Sequence, residues 1–188
     1  MNTFKKVIAH DKNSHATGFT LLELLIVIAI LAVLATVAVL VINPIEYLRQ
    51  ARDSQRIGDL AAVKGALDLY VSSATTIALG SCPATGRCTA APAANPFTGT
   101  CVVNAGTGIT GTGWVDVDLT TLAGGAPLPK LPIDPTNNSG YFYGYACNAT
   151  NNTYELDTKL ESAKYGGMAS TDGGNNAAFY EVGSTLAL

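Results

Sequence analysis

The stretch Gly18-Phe19-Thr20-Leu21-Leu22-Glu23, continued by an apolar run from Leu24 to Ile42 that only Thr36 interrupts, decides how the rest of the chain is read. From Phe19 to Ile42 the polar side chains are Thr20, Glu23 and Thr36, and there is no Gly or Pro. At about 1.5 Å per residue the segment makes a helix of roughly 36 Å, enough to cross a hydrocarbon core of about 30 Å. Helix is the conformation that satisfies such a backbone in lipid. Glu23 is the residue out of place, because a carboxylate inside an inserted helix costs about 2.5–3.5 kcal/mol on insertion scales. A cut between Gly18 and Phe19 would create an α-amino group four residues before it. The amine of a neighbouring, axially shifted copy would then neutralise the acid. The plainer reading is a membrane anchor that tolerates one acid near its end.

The segment G-F-T-L-L-E-L-L-I-V-I-A-I-L resembles the class III signal of type IV pilins and type II secretion pseudopilins. The resemblance is dense from Gly18 to about Tyr70 and looser beyond. It implies that a prepilin peptidase cleaves after Gly18 and N-methylates Phe19, and that Glu23 is the acid setting filament register.

Met1–Gly18 carries Lys5, Lys6 and Lys12 ahead of the apolar run. The positive-inside rule keeps this end cytoplasmic and sends the remainder out. An ordinary secretory signal has its apolar region before the cleavage site and loses it. Here the polar leader comes first and the apolar run is kept.

The 188 residues allow one modest domain beyond the anchor. Net charge is −3; loss of Met1–Gly18 removes Lys5, Lys6, Lys12 and Asp11, leaving eight basic and thirteen acidic side chains. A nucleic-acid surface wants the opposite balance. Both histidines, His10 and His15, lie in the leader, so the processed chain lacks the side chain most used for acid–base, triad and zinc chemistry.

Asn43-Pro44 predicts an interruption of the helix, since Pro lacks the N–H and clashes with the preceding turn. Ile45 to about Ser73 reads as a second helix with Ile57, Leu60, Ala61, Val63, Leu67 and Tyr70 on one face. Its interleaved charges include Arg49–Asp53 and Lys64–Asp68 at i, i+4, and read as a solvated face. The sharper reading has Arg49, Arg52 and Asp53 meeting neighbouring subunits.

Ala74 to Gly113 is rich in Thr, Ser, Gly, Ala and Pro and reads as loops. Trp114 to Leu119 alternates and predicts a strand, with Asp116 and Asp118 on its wet face. Leu131 to Pro135 reads as a rigid turn, Tyr141 to Tyr145 as an aromatic strand, and Asn152 to Asp157 as its antiparallel neighbour. The pattern L-P-x-D-P, Y-x-Y, Y-x-L and L-E over Leu131 to Glu161 is similar to the C-terminal half of major pseudopilins. The expected fold is α+β, a long N-terminal helix packed on a small antiparallel sheet with long loops. The expected organisation is a leader at 1–18, an anchor at 19–42, an exposed helix at 43–73 and an extracytoplasmic region at 74–188.

Cys82, Cys88, Cys101 and Cys147 are even in number and all follow the anchor, which predicts disulfides in an oxidising space. Three pairings exist. Cys82–Cys88 with Cys101–Cys147 is preferred, as a short loop plus a tie from the loop region to the sheet. Ser170-Thr171-Asp172-Gly173-Gly174-Asn175-Asn176 is a polar Gly-rich loop. The resemblance implies a calcium loop in this region, with Asp172 as its carboxylate. A plain turn is favoured because the stretch holds one acid, so no cofactor is required.

The resemblance implies a prepilin, expected to be a structural and non-catalytic subunit. Its partners are other copies in a filament, a prepilin peptidase, the pilus or secretion assembly machinery and the membrane, with no nucleic acid. It starts as a single-pass cytoplasmic-membrane protein and ends in a pilus or pseudopilus. The alternative is a monomeric, single-pass binding protein with an extracytoplasmic domain.

Overall fold

The structure is a computed structural model in which residues 18–81 and 85–188 are described; the leader through residue 17 and Cys82 lie outside the described residues. The chain divides into two units, Met1–Asn43 and Pro44–Leu188.

The described part of the first unit is helix α1, Leu21–Ile42. Its N-cap is Thr20, whose hydroxyl accepts the Glu23 N–H at 3.1 Å and so satisfies one of the orphan donors of the first turn. Asn43 ends it in the left-handed region, φ 47°, a conformation Asn tolerates better than most residues. The second helix, α2, starts at Pro44, where the missing N–H has no helical partner to lose. The interruption expected at Asn43-Pro44 is present.

In the second unit α2 runs Pro44–Ser73. Its buried stripe is Asp53, Arg56, Leu60, Val63, Leu67 and Tyr70, spaced alternately three and four residues apart, with Ala66 alongside. Ala61 is exposed and lies off this face. The apolar part packs on a core that includes Trp114, Val117, Leu119, Leu131, Tyr143 and Leu156.

A five-stranded sheet backs this core. Its strands are β1 (Thr85–Cys88), β2 (Thr100–Val103), β3 (Tyr143–Asn148), β4 (Thr153–Thr158) and β5 (Tyr180–Gly183), in the order β2-β1-β3-β4-β5. All neighbours are antiparallel except β1 and β2, which are parallel. The architecture is α+β, as expected. The β3–β4 hairpin pairs Tyr143 with Thr158 and Asn148 with Thr153, two strands that the aromatic alternation had located.

Two expectations are corrected. The segment 74–113 contains β1 and β2, which carry no long β-branched alternation to announce them. A parallel pair usually needs a crossover helix. Here residues 89–99 make the connection and the Cys88–Cys101 disulfide spans the two strands, with Cα atoms 5.7 Å apart. Gly86 and Gly144 leave room on that face for the Phe97 ring, which a Cβ at either position would strike. The second correction is Trp114 to Leu119, which is not a strand. Val115, Val117 and Leu119 are buried as the alternation implied. Yet the backbone bonds to loops: Trp114 N–H to Gly106 O at 3.0 Å and Leu119 N–H to Ile109 O at 2.8 Å. One isolated bridge, Thr110 with Asp118, touches the segment. Its acids are half-buried and each is engaged within the chain. Asp116 pairs with Arg87 at 2.6 Å and accepts the Ser81 N–H, while Asp118 caps the 3-10 turn Leu119–Thr121.

Candidate functional site

Helix α1 has no polar face. Its described large apolar side chains, with Phe19, are exposed by 46% at Val27 to 84% at Phe19, and the span Leu21–Val39 is long and apolar enough to cross a membrane. The hydroxyl of Thr36 donates to Ala32 O at 3.2 Å and Val33 O at 2.8 Å, so that polar group is satisfied within the helix. Glu23 differs. Its N–H is capped by Thr20, but among the described residues its carboxylate accepts no hydrogen bond and makes no ion pair. The first turn of a helix is a favourable place for an acid, because the helix dipole is positive there.

Thr20-Leu21-Leu22-Glu23 therefore has the spacing of a capping box, a signal in the sequence that the membrane reading passed over. Only half of that box forms: Thr20 accepts the Glu23 N–H, and no bond returns from the Thr20 N–H to the Glu23 carboxylate. The carboxylate is exposed, one helical turn from Phe19. Gly18 and Phe19 precede the helix, in non-helical backbone, and both are exposed.

The charges of α2 fall elsewhere than expected. Asp53 and Arg56 are buried, not solvated. Arg56 donates to Asp134 through Nε (2.6 Å) and Nη2 (3.1 Å), to Asp53 (2.9 Å) and Glu161 (2.8 Å) through Nη1, and its guanidinium lies 4.6 Å from the Tyr141 ring centre. Asp53 also accepts the N–H groups of Glu161 and Ser162, at 3.1 and 2.7 Å. Arg52 forms a two-pronged pair with Glu161 at 2.6 and 2.9 Å. Burial works to lower the Arg56 pKa, but its bonds to Asp134 and Glu161 outweigh that and hold it raised. Arg52 and Asp53 are thus engaged within the chain, not held out to a neighbour. Arg49 lies 3.8 Å from Glu46, not beside Asp53, whereas Lys64–Asp68 forms as expected at 2.6 Å.

The disulfide Cys88–Cys101 overturns both preferred pairings. Cys147 is disulfide-bonded as well, and its sulfur lies 3.0 Å from Leu79 O. The preference for a short loop failed because pairing follows which strands are neighbours, and β1 lies beside β2.

Asp172, the loop carboxylate, accepts the Gly174 N–H and the Glu181 N–H, each at 2.9 Å. It shapes its own loop and ties it to β5. The other acids close to it are Glu155, Asp157 and Glu181, on strands β4 and β5.

Comparison with protein families finds the prokaryotic N-terminal methylation motif at residues 13–39, the signal of type IV pilins and pseudopilins. The match takes in Gly18, Phe19, Glu23 and most of α1. No curated protein and no solved structure matches the chain.

Proposed function

We propose that this chain, a type IV pilin-like or pseudopilin precursor by its methylation motif, is cut after Gly18 and assembles into a helical filament through α1. The observation that carries the reading is the pairing of two features. One is an apolar helix with no polar side; the other is a single carboxylate, one turn from the new N-terminus, that nothing in the described chain partners. Such a helix is stable in lipid before assembly and in the dry centre of a fibre after it. The α-amino group of Phe19 on an adjacent, axially shifted subunit supplies the missing cation and sets the register. The leader stays in the cytoplasm and residues 44–188 face the outside, where disulfides form. The role is structural.

Mass spectrometry of the purified protein tests the first half. The expected product has lost Met1–Gly18 and gained one methyl group at Phe19. An intact N-terminus on protein made with its peptidase present would instead indicate a single-pass anchor. Electron microscopy of sheared cell-surface material tests the second half, with filaments containing this chain as the expected result.

A further inference from the structure

Apolar exposure does not stop at the end of α1. Among the described residues of the second unit, Ile45, Tyr47 and Leu48 are exposed by 62%, 61% and 60%. The other large apolar side chains exposed there, Leu69, Val102 and Val103, lie elsewhere and are less exposed. The apolar exposure is thus concentrated at the very start of α2.

That start is fixed to the folded unit. The Glu46 carboxylate accepts the Ala163 N–H at 2.7 Å, and Asp53, two turns on, accepts the Glu161 and Ser162 N–H groups. Glu46 therefore marks the inward side. At about 100° per residue, Ile45 and Tyr47 stand to either side of it and Leu48 stands nearly opposite. The three side chains surround the helix except where Glu46 ties it down. A protein partner would cover a stripe on one side. A collar is matched by a medium that surrounds the helix.

Chain length says which medium. The apolar run of α1 continues beyond the span Leu21–Val39 to Ile42. A helix from Glu23 to Ile42 rises roughly 28 Å, close to a hydrocarbon core of about 30 Å. With Ile42 at the outer boundary, Ile45 to Leu48 follow within roughly 5–9 Å at helical rise, at the level of the headgroup layer. A ring with an apolar body and a polar tip, such as Tyr47, is suited to that layer. Arg49 comes next, held by a 3.8 Å contact with Glu46, and its long stem can lift the charge to the phosphates.

We propose that Ile45, Tyr47 and Leu48 form an interfacial collar that docks in the phospholipid headgroup layer of the outer leaflet and fixes the depth of α1 in the bilayer before assembly. Glu23 then falls at the inner boundary of the core, where a carboxylate costs less than at its centre. Gly18 and Phe19 lie beyond it in the inner headgroup layer, where water and a peptidase reach them. The proposal rests on α1 spanning the membrane, not on the filament.

The test places the full chain in phosphatidylcholine vesicles whose acyl chains are brominated either near the headgroup or near the chain end. Trp114, the chain's single tryptophan, is fully buried and gives a background that neither quencher reaches. Tyr47→Trp should lose at least roughly twice as much emission to the shallow bromines as to the deep ones, since such rings settle at the headgroup level. Leu31→Trp, mid-span, should show the reverse order. Adding Ile45→Ser and Leu48→Ser to Tyr47→Trp should at least roughly halve the shallow quenching, because those side chains supply much of the collar's apolar area. Iodide in the water should then quench it more.

Quenching of Tyr47→Trp by iodide and not by bromine, with Leu31→Trp still quenched by the deep bromines, would overturn the collar and leave the span standing. Shielding of Tyr47→Trp from both quenchers would assign the surface to a second copy instead. Unchanged quenching in the serine variant would show that the tether to α1 alone places residue 47. Escape of Leu31→Trp from both bromines would remove the span, and the collar with it.

Discussion

Arg56 Nε and Nη2 donate to the two carboxylate oxygens of Asp134, 78 residues further along the chain, at 2.6 and 3.1 Å, and both side chains are fully buried. Planar fork meets planar carboxylate, the geometry in which Arg outperforms Lys. Through Nη1 the same guanidinium reaches Asp53 and Glu161, so one side chain ties α2 to the turn before β3 and to the segment after β4.

Removing that cation leaves Asp53 and Asp134 buried and uncompensated. Arg56→Ala is expected to cost about 3–5 kcal/mol in urea unfolding of the second unit. Arg56→Lys should recover part of the loss, because it restores the charge but not the fork. A loss below about 1 kcal/mol for the alanine variant would place the network among weak surface pairs.

Acid should loosen the same region. The Arg52 hydrogen bond, helped by Arg56, holds the Glu161 carboxyl below its ordinary value of 4.5. An acid with a lowered folded pKa stabilises fully above its unfolded value, and that contribution is lost as pH falls through the lowered one. Thermal midpoints should therefore decline as pH drops below about 4.5, and Glu161→Gln should flatten the decline in that window. An unchanged pH profile in the variant would refute the assignment.

The disulfide Cys88–Cys101 closes 13 residues of chain. Its removal in Cys88→Ser/Cys101→Ser should lower stability by about 3 kcal/mol, the loop-closure contribution for a ring of that size. Non-reducing peptide mapping should recover Cys88 joined to Cys101. A Cys82–Cys88 peptide would contradict the structure.

Glu23→Val should leave membrane insertion intact, or ease it, since it takes a charge out of an apolar helix. Filament yield from cells making this variant should be abolished or strongly reduced. Wild-type yield would show that register does not depend on the Glu23 carboxylate.

What could be read along the chain was whatever neighbours in sequence determine. The apolar length of α1, its lack of helix breakers, the Gly18-Phe19 junction and the Glu23 spacing are all local. The β3–β4 hairpin was legible for a similar reason: its strands are close in sequence and their alternation is strong.

The charged end of the α2 stripe was misread because Asp53 and Arg56 look like ordinary surface ions until Asp134 and Glu161 are brought to them. The stripe carried a clue, since extending its three-and-four spacing backward from Leu60 lands on both. Strands β1 and β2, the partner of Cys88 and the meeting of Glu155, Asp157 and Glu181 had no such clue. Each depends on which distant segments lie side by side and in what register, and a one-residue slip would turn those side chains to the opposite face. The sequence by itself therefore determined the apolar helix, long enough to cross a membrane, and its methylation motif. The tertiary structure alone decided which buried charges, sulfurs and acids meet, because those contacts exist only after strand order and register are set.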